Sequence, residues 1–202
     1  MAPPPKESPK KSTRMMILVN DDIDSLNLEE ALPLLPAWRR EQALRYRHDT
    51  DRRLCAAAYM LLCRGLEAEY GITEAPEFGY GEGGKPFILG RPDIHFSLSH
   101  CPAAALCAVG DSAVGADIET VRPYNARLAR RALSPAEVSL VEASADRAVA
   151  FARLWTMKES LLKLTGEGIR RDLKSALCGA AARFSTTVNA GRGYVFTICT
   201  ET

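Results

Sequence analysis

Residues 95–119, HFSLSHCPAAALCAVGDSAVGADIE, decide the class of fold. His95-Phe96-Ser97-Leu98-Ser99 alternates apolar and polar side chains with the period of a strand. Ala103 to Val109 and Ala113 to Glu119 read as two more strands, joined by the turn Gly110-Asp111-Ser112. No helix separates them, so regular βαβ alternation is absent. Upstream, Met15 to Val19 starts a strand, and an acidic stretch from Asn20 to Glu30 leads into a turn region, Leu32-Pro33-Leu34-Leu35-Pro36. Arg52 to Tyr70 has helical periodicity, with Asp49-Thr50-Asp51 as candidate caps and Gly71 closing it. Downstream, helices are expected over Ala126 to Leu133, from Ser134-Pro135, and over Ala148 to Leu164 before Gly166, followed by a strand from Tyr194 to Thr200. The expected class is therefore α+β rather than doubly wound α/β.

The composition agrees with a folded chain of one large or two small domains. Of 202 residues 47% are hydrophobic and 25% charged, which excludes collagen-like and wholly disordered chains. A formal net charge of +1 argues against nucleic acid as the main partner. No run of about 18 uncharged apolar residues is present, so no membrane span is expected. Met1 to Arg14, rich in proline and basic residues, reads as a disordered tail without a signal-peptide core. The six cysteines form no Cys-x-x-Cys pair, and with only three histidines no zinc site is visible. Buried, reduced thiols of a cytoplasmic protein are the expectation.

Gly79 to Lys85 has phosphate-loop spacing, but Pro86 stands where that loop needs a hydroxyl residue opening a helix, so it is read as a turn. Lys85 on such a turn is within reach of a phosphate or is an ordinary hairpin lysine. Asp117 and Glu119 are more informative. On a strand, i and i+2 share a face about 6–7 Å apart, so both carboxylates point one way and Ile118 points into the core. Such a pair is either a solvated strand end or an oxygen-donor site for Mg²⁺. On the helix Trp155-Thr156-Met157-Lys158-Glu159-Ser160-Leu161-Leu162-Lys163, the buried stripe is expected to be Phe151, Leu154, Trp155, Leu161 and Leu162. Glu159 and Lys163, at i and i+4, lie together on its flank. They would add a third carboxylate and a cation beside a phosphate. Arg52-Arg53 places cations in the first turn of a helix, where the dipole favours anions; either Asp49 and Asp51 neutralise them or a phosphate binds there. His100, beside Ser99 at a strand end, could join such a phosphate site.

Together these residues resemble a family. Gly84-Lys85-Pro86, Phe96-Ser97-Leu98-Ser99-His100, Gly115-Ala116-Asp117-Ile118-Glu119, and Trp155 to Lys163 with Gly166-Glu167-Gly168 are similar to the ordered motifs of the 4′-phosphopantetheinyl transferases of the surfactin-synthetase-activating type. The likeness covers roughly Arg40 to Lys174, and Arg40 matches a further basic position loosely. It implies two similar α+β halves related by a pseudo-twofold, here 15–112 and 113–202, with coenzyme A bound between them. It also implies Mg²⁺-dependent transfer of phosphopantetheine from coenzyme A to a serine of an apo acyl or peptidyl carrier protein, releasing 3′,5′-ADP. Carried over, Asp117, Glu119 and Glu159 hold Mg²⁺, with Mn²⁺ as the alternative, and Lys163 contacts the phosphates. Glu159 and Lys163 are the catalytic pair. Arg52, Lys85, Ser99 and His100 grip the nucleotide end. Arg122, Arg127, Arg130 and Arg131 are the basic patch expected to meet the carrier. Ser97 and Cys101 depart from the residues usual in the family, and the segment after Lys174 is short for this type. A chain with both halves completes its site without a second subunit, so a monomer is expected. A non-catalytic binder on the same fold and a nucleotide hydrolase are the rival readings.

Overall fold

In chain order the elements are β1 (Met15–Asn20), α1 (Leu28–Leu34), α2 (Ala37–Leu44), α3 (Asp49–Tyr70), β2 (Phe78–Tyr80), β3 (Pro86–Ile88), β4 (His95–Cys101) and β5 (Ala104–Gly110). There follow β6 (Val114–Thr120), α4 (Ala126–Ala132), α5 (Pro135–Ala143), α6 (Arg147–Thr165), β7 (Ala182–Asn189) and β8 (Tyr194–Glu201). The computed structural model describes residues 14–167 and 172–202. The tail expected over 1–14, apart from Arg14, and Gly168 of the last motif lie outside the described residues.

Two three-stranded antiparallel sheets have the same topology. The first has the order β1-β5-β4, the second β6-β8-β7. Each is built as strand, long helix, strand, strand, with the last strand between the other two. The class is α+β, as the residues implied. Despite the short segment after Lys174, the second sheet has as many strands as the first.

β5 explains how the sheets are held together. All its residues are buried. Ala105, Cys107 and Val109 pack on Leu54, Leu62 and Leu66 of α3. The alternate residues Ala104, Leu106 and Ala108 pack on Val114, Ala116 and Ile118 of β6 and Ile198 of β8. A strand covered on both faces needs a continuous apolar run, and Ala104 to Val109 supplies one. β6 is an edge strand of its own sheet, and an unpaired buried N–H is costly. The hydroxyls of β4 meet that need: Ala116 N donates to Ser97 Oγ at 2.9 Å and Ile118 N to Ser99 Oγ at 3.4 Å.

The helix ends follow the caps. Gly71 and Gly166 take left-handed φ of 66° and 72° at the ends of α3 and α6. Ser134 and Glu137 form a capping box at α5. The buried stripe of α6 differs from expectation. Leu161 and Leu162 are buried, but the closest face is Ala152, Thr156 and Ser160, which let the helix approach its sheet closely. Phe151 and Leu154 turn instead to Leu133 and Val141 of the α4–α5 region. The region expected as a turn at 32–36 is partly helical, since Asn27 caps α1 by accepting from Glu29 N. Gly79 to Lys85 lies on the β2–β3 hairpin, as the rejection of a phosphate loop requires. All six cysteines are free, four of them buried. No helix among the described residues is long and apolar enough to cross a membrane.

Candidate active site

The alternation of β6 buries Val114, Ala116 and Ile118 between the sheets and turns Gly115, Asp117 and Glu119 toward α6. Gly115 sets the spacing, because a Cβ there would collide with the Ser160 carbonyl and the backbone of Leu164. That close approach brings Lys163 onto Asp117. Lys163 Nζ lies 2.7 Å from Asp117 Oδ1 and donates to Ser99 Oγ at 2.8 Å. Ser99 in turn donates to Asp117 Oδ1 at 2.8 Å. Three elements, β4, β6 and α6, thus close one ring of contacts where the sheets meet.

Asp117 is only 4% exposed, and its second oxygen, Oδ2, is buried without a hydrogen-bond partner. Glu119 is pushed up to about 7, first by burial and then by the charge of Asp117. Burial and Asp117 raise Glu159 as well. His100, an exposed residue, is held below its usual range first by the protein atoms around its ring and then by Lys163 and Arg39. Ser99, Asp117 and Lys163 are thus in direct contact, with Glu119, Glu159 and His100 inside their field.

Arg52 and Lys85 make other contacts. Arg52 pairs with Asp49 at 2.9 Å and donates to the Tyr46 carbonyl at 3.0 Å, which neutralises the cation at the start of α3. Lys85 Nζ donates to the carbonyls of Val114 and Leu164, each at 3.0 Å. Arg40 is exposed, while its neighbour Arg39 is buried and donates to the Cys55 carbonyl at 2.9 Å. Nothing in Trp38-Arg39-Arg40 distinguishes the two before α2 is set on α3. Lys158 was also missed. It is 1% exposed, pairs with Glu137 at 2.8 Å and donates to the Leu173 carbonyl. The capping box was its legible signal, since it fixes Glu137.

The donor set suits a hard divalent cation: an unpartnered buried oxygen on Asp117 lies beside two carboxylates that its charge raises. The geometry is not closed, for among the described residues no three Asp, Glu, His or Cys side chains gather as a ligand group. Two cavities flank the cluster. One, of about 280 Å³, runs from Gly84, Lys85 and Pro86 to Glu159 and Lys163; a larger one adjoins it under the hairpin. The other, of about 300 Å³, lies beyond Glu119 and is lined by Arg122, Phe151 and Trp155.

Comparison with known proteins gives the same direction. The chain is 34% identical over 150 residues to a 4′-phosphopantetheinyl transferase of Bacillus subtilis, covering 73% of this chain and 67% of that protein. The chain belongs to the 4′-phosphopantetheinyl transferase family. The model of the 4′-phosphopantetheinyl transferase superfamily matches residues 113–200, the stretch that contains Asp117, Glu119, Glu159 and Lys163. A second relative, the 4′-phosphopantetheinyl transferase Sfp of Bacillus subtilis strain 168, is 30% identical with the same coverage. The L-aminoadipate-semialdehyde dehydrogenase-phosphopantetheinyl transferase of Eremothecium gossypii is 33% identical over 167 residues, 77% of this chain and 60% of that protein. The phosphopantetheinyl transferase relatives are thus longer, and this chain spans about two-thirds of their length.

Proposed function

We propose that this chain transfers 4′-phosphopantetheine from coenzyme A to a serine hydroxyl of an apo acyl or peptidyl carrier protein, releasing 3′,5′-ADP. The observation that carries the proposal is the ring of Asp117, Lys163 and Ser99 at the junction of the sheets, flanked by Glu119 and Glu159. It sets a cation and several oxygen donors at one point, which is what displacement at a pyrophosphate requires.

Asp117, Glu119 and Glu159 are the residues to hold Mg²⁺, with Mn²⁺ as the alternative. When bound, the metal neutralises the pyrophosphate and polarises the phosphorus under attack. Lys163 pairs with the phosphate oxygens and stabilises the charge that departs on 3′,5′-ADP. Glu159 takes the proton of the carrier serine, directly or through a water; its raised affinity for protons suits that role. The serine oxygen bonds to the phosphorus that bears pantetheine, as the bond from that phosphorus to the bridging oxygen breaks. Ser99 and His100 face the nucleotide end, with Arg52 turning from Asp49 to meet it and the Lys85 turn lining the groove.

The first half, 15–112, supplies the nucleotide contacts, and the second, 113–202, the metal and catalytic groups, the two being related by a pseudo-twofold. The carrier docks on Arg122, Arg127, Arg130 and Arg131, all exposed, beside the exposed apolar side chains Leu128 and Leu140. The protein acts as a monomer in the cytoplasm, without nucleic acid or membrane. Release of 3′,5′-ADP, followed chromatographically with and without an apo-carrier, tests the reaction. Release only with carrier is expected. Release of nucleotide or phosphate without an acceptor would identify a hydrolase instead.

A further inference from the structure

Lys85 leaves the β2–β3 hairpin and crosses to the second sheet, where its ammonium donates to two backbone carbonyls. One belongs to Val114, the first residue of the strand that carries Asp117 and Glu119. The other belongs to Leu164, in the last turn of the helix that carries Glu159 and Lys163. Carbonyls in a last helical turn have no partner within the helix, and a cation there complements the dipole. The same hairpin touches that helix a second time: a Cβ on Gly83 would collide with the carbonyl of Gly166, the cap of α6. The Lys85 bonds and this close approach therefore seat one turn on the end of α6, and the Lys85 bonds reach the start of β6 as well. Val114 and Leu164 lie only three residues and one residue, respectively, from Asp117 and Lys163, whose contact closes the ring of the site.

We propose that Lys85 is a positioning residue that holds β6 and α6 in the register bringing Lys163 to Asp117, rather than a ligand of the nucleotide. Two of the three N–H donors of the ammonium are committed to these carbonyls, one of them on the fully buried Val114, so moving the head group onto the nucleotide would strip backbone acceptors of their donor. Burial also pushes the ammonium below its usual range, against the smaller opposing pull of Cys199 and Glu201. The catalytic consequence rests on the transferase reading; the structural one does not.

The test compares Lys85→Met and Gly83→Ala with the parent at a temperature where circular dichroism shows each folded. Transfer from coenzyme A and from dephospho-coenzyme A is measured, together with hydrogen exchange of the amides at 163–166. In Lys85→Met, kcat should fall at least about tenfold while KM for coenzyme A moves less than about twofold. The preference for coenzyme A over dephospho-coenzyme A should persist, and exchange in the last turn of α6 should quicken. Gly83→Ala should show the same pattern, and the double variant should be little worse than either, because both loosen the same junction between the hairpin and α6. Should Lys85→Met not fold, Lys85→Gln, which keeps an amide donor, is read in its place. A raised KM with loss of the coenzyme A preference would make Lys85 a nucleotide ligand and overturn the proposal. So would unchanged kcat and exchange. If the parent transfers to no carrier, the transferase reading fails, while the exchange rates still decide the tether.

Discussion

Asp117 shares one oxygen with Lys163 and Ser99 and buries the other without a partner, so its substitution has two separate effects. Asp117→Asn should abolish Mg²⁺-dependent transfer while costing only about 1 kcal/mol of stability, because Lys163 stays partly solvated; turnover and a thermal melt read the two effects independently. Glu119 behaves differently. Its carboxyl sits at about 7 in the folded protein, above the usual carboxylate range. Between that range and about 7 the folded state keeps a proton that the unfolded chain has lost, so metal-free stability falls as pH rises through this window. After allowance for partial exposure the effect is about 2 kcal/mol. Melts across the window should show the decline in the parent and a flatter profile in Glu119→Gln. Because binding Mg²⁺ requires the ionised carboxylate, metal affinity measured by calorimetry should climb over the same window. Burial, and then Lys163 and Arg39, hold His100 below its usual range in the free protein, so protonating it takes acidification. The preference for coenzyme A over dephospho-coenzyme A should therefore strengthen as pH falls and His100 gains its proton, and pH-dependent KM values for the two substrates check this.

The packing of α6 on β6 depends on Gly115, and Gly115→Ala should lower the melting temperature by an amount equivalent to about 1–3 kcal/mol or more, with transfer lost in parallel. A variant as stable and active as the parent would show that the approach of helix and strand is not what places Lys163. Much of this element pairing was legible in the sequence. Period-two alternation assigned Asp117 and Glu119 to one face, and helical spacing put Glu159 beside Lys163. Caps at Gly71, Ser134 and Gly166 marked where helices begin and end. The face of α6 was not legible, because large apolar residues suggest a buried stripe whereas close packing selects Ala152, Thr156 and Ser160. Ser99 could be placed near a phosphate but not on Asp117, since that contact joins strands of different sheets. Arg39 and Arg40 are adjacent and alike; only the seating of α2 buries one and exposes the other. β7 carries a modest alternation that no flanking motif reinforced.

Two sheets of one topology meet through β4, β5 and β6, and the candidate site lies on that junction, so each sheet contributes side chains that neither could gather alone. A partner reaching the site beside Arg122 would also meet the exposed cations of α4. Reversing charge at Arg130 and Arg131 should raise KM for the carrier and weaken the dependence of encounter on salt, leaving KM for coenzyme A unchanged. Steady-state kinetics at two ionic strengths measure both, and an unmoved carrier KM would dismiss the patch. Transfer itself is measured by incubating the protein with coenzyme A, Mg²⁺ and a panel of apo acyl and peptidyl carriers, then weighing the intact carriers by mass spectrometry. At least one carrier should gain the mass of a single phosphopantetheine group, with no gain when its modified serine is replaced by alanine or when Asp117→Asn is used. Carriers unchanged in mass throughout the panel, with coenzyme A intact, would contradict the transferase reading.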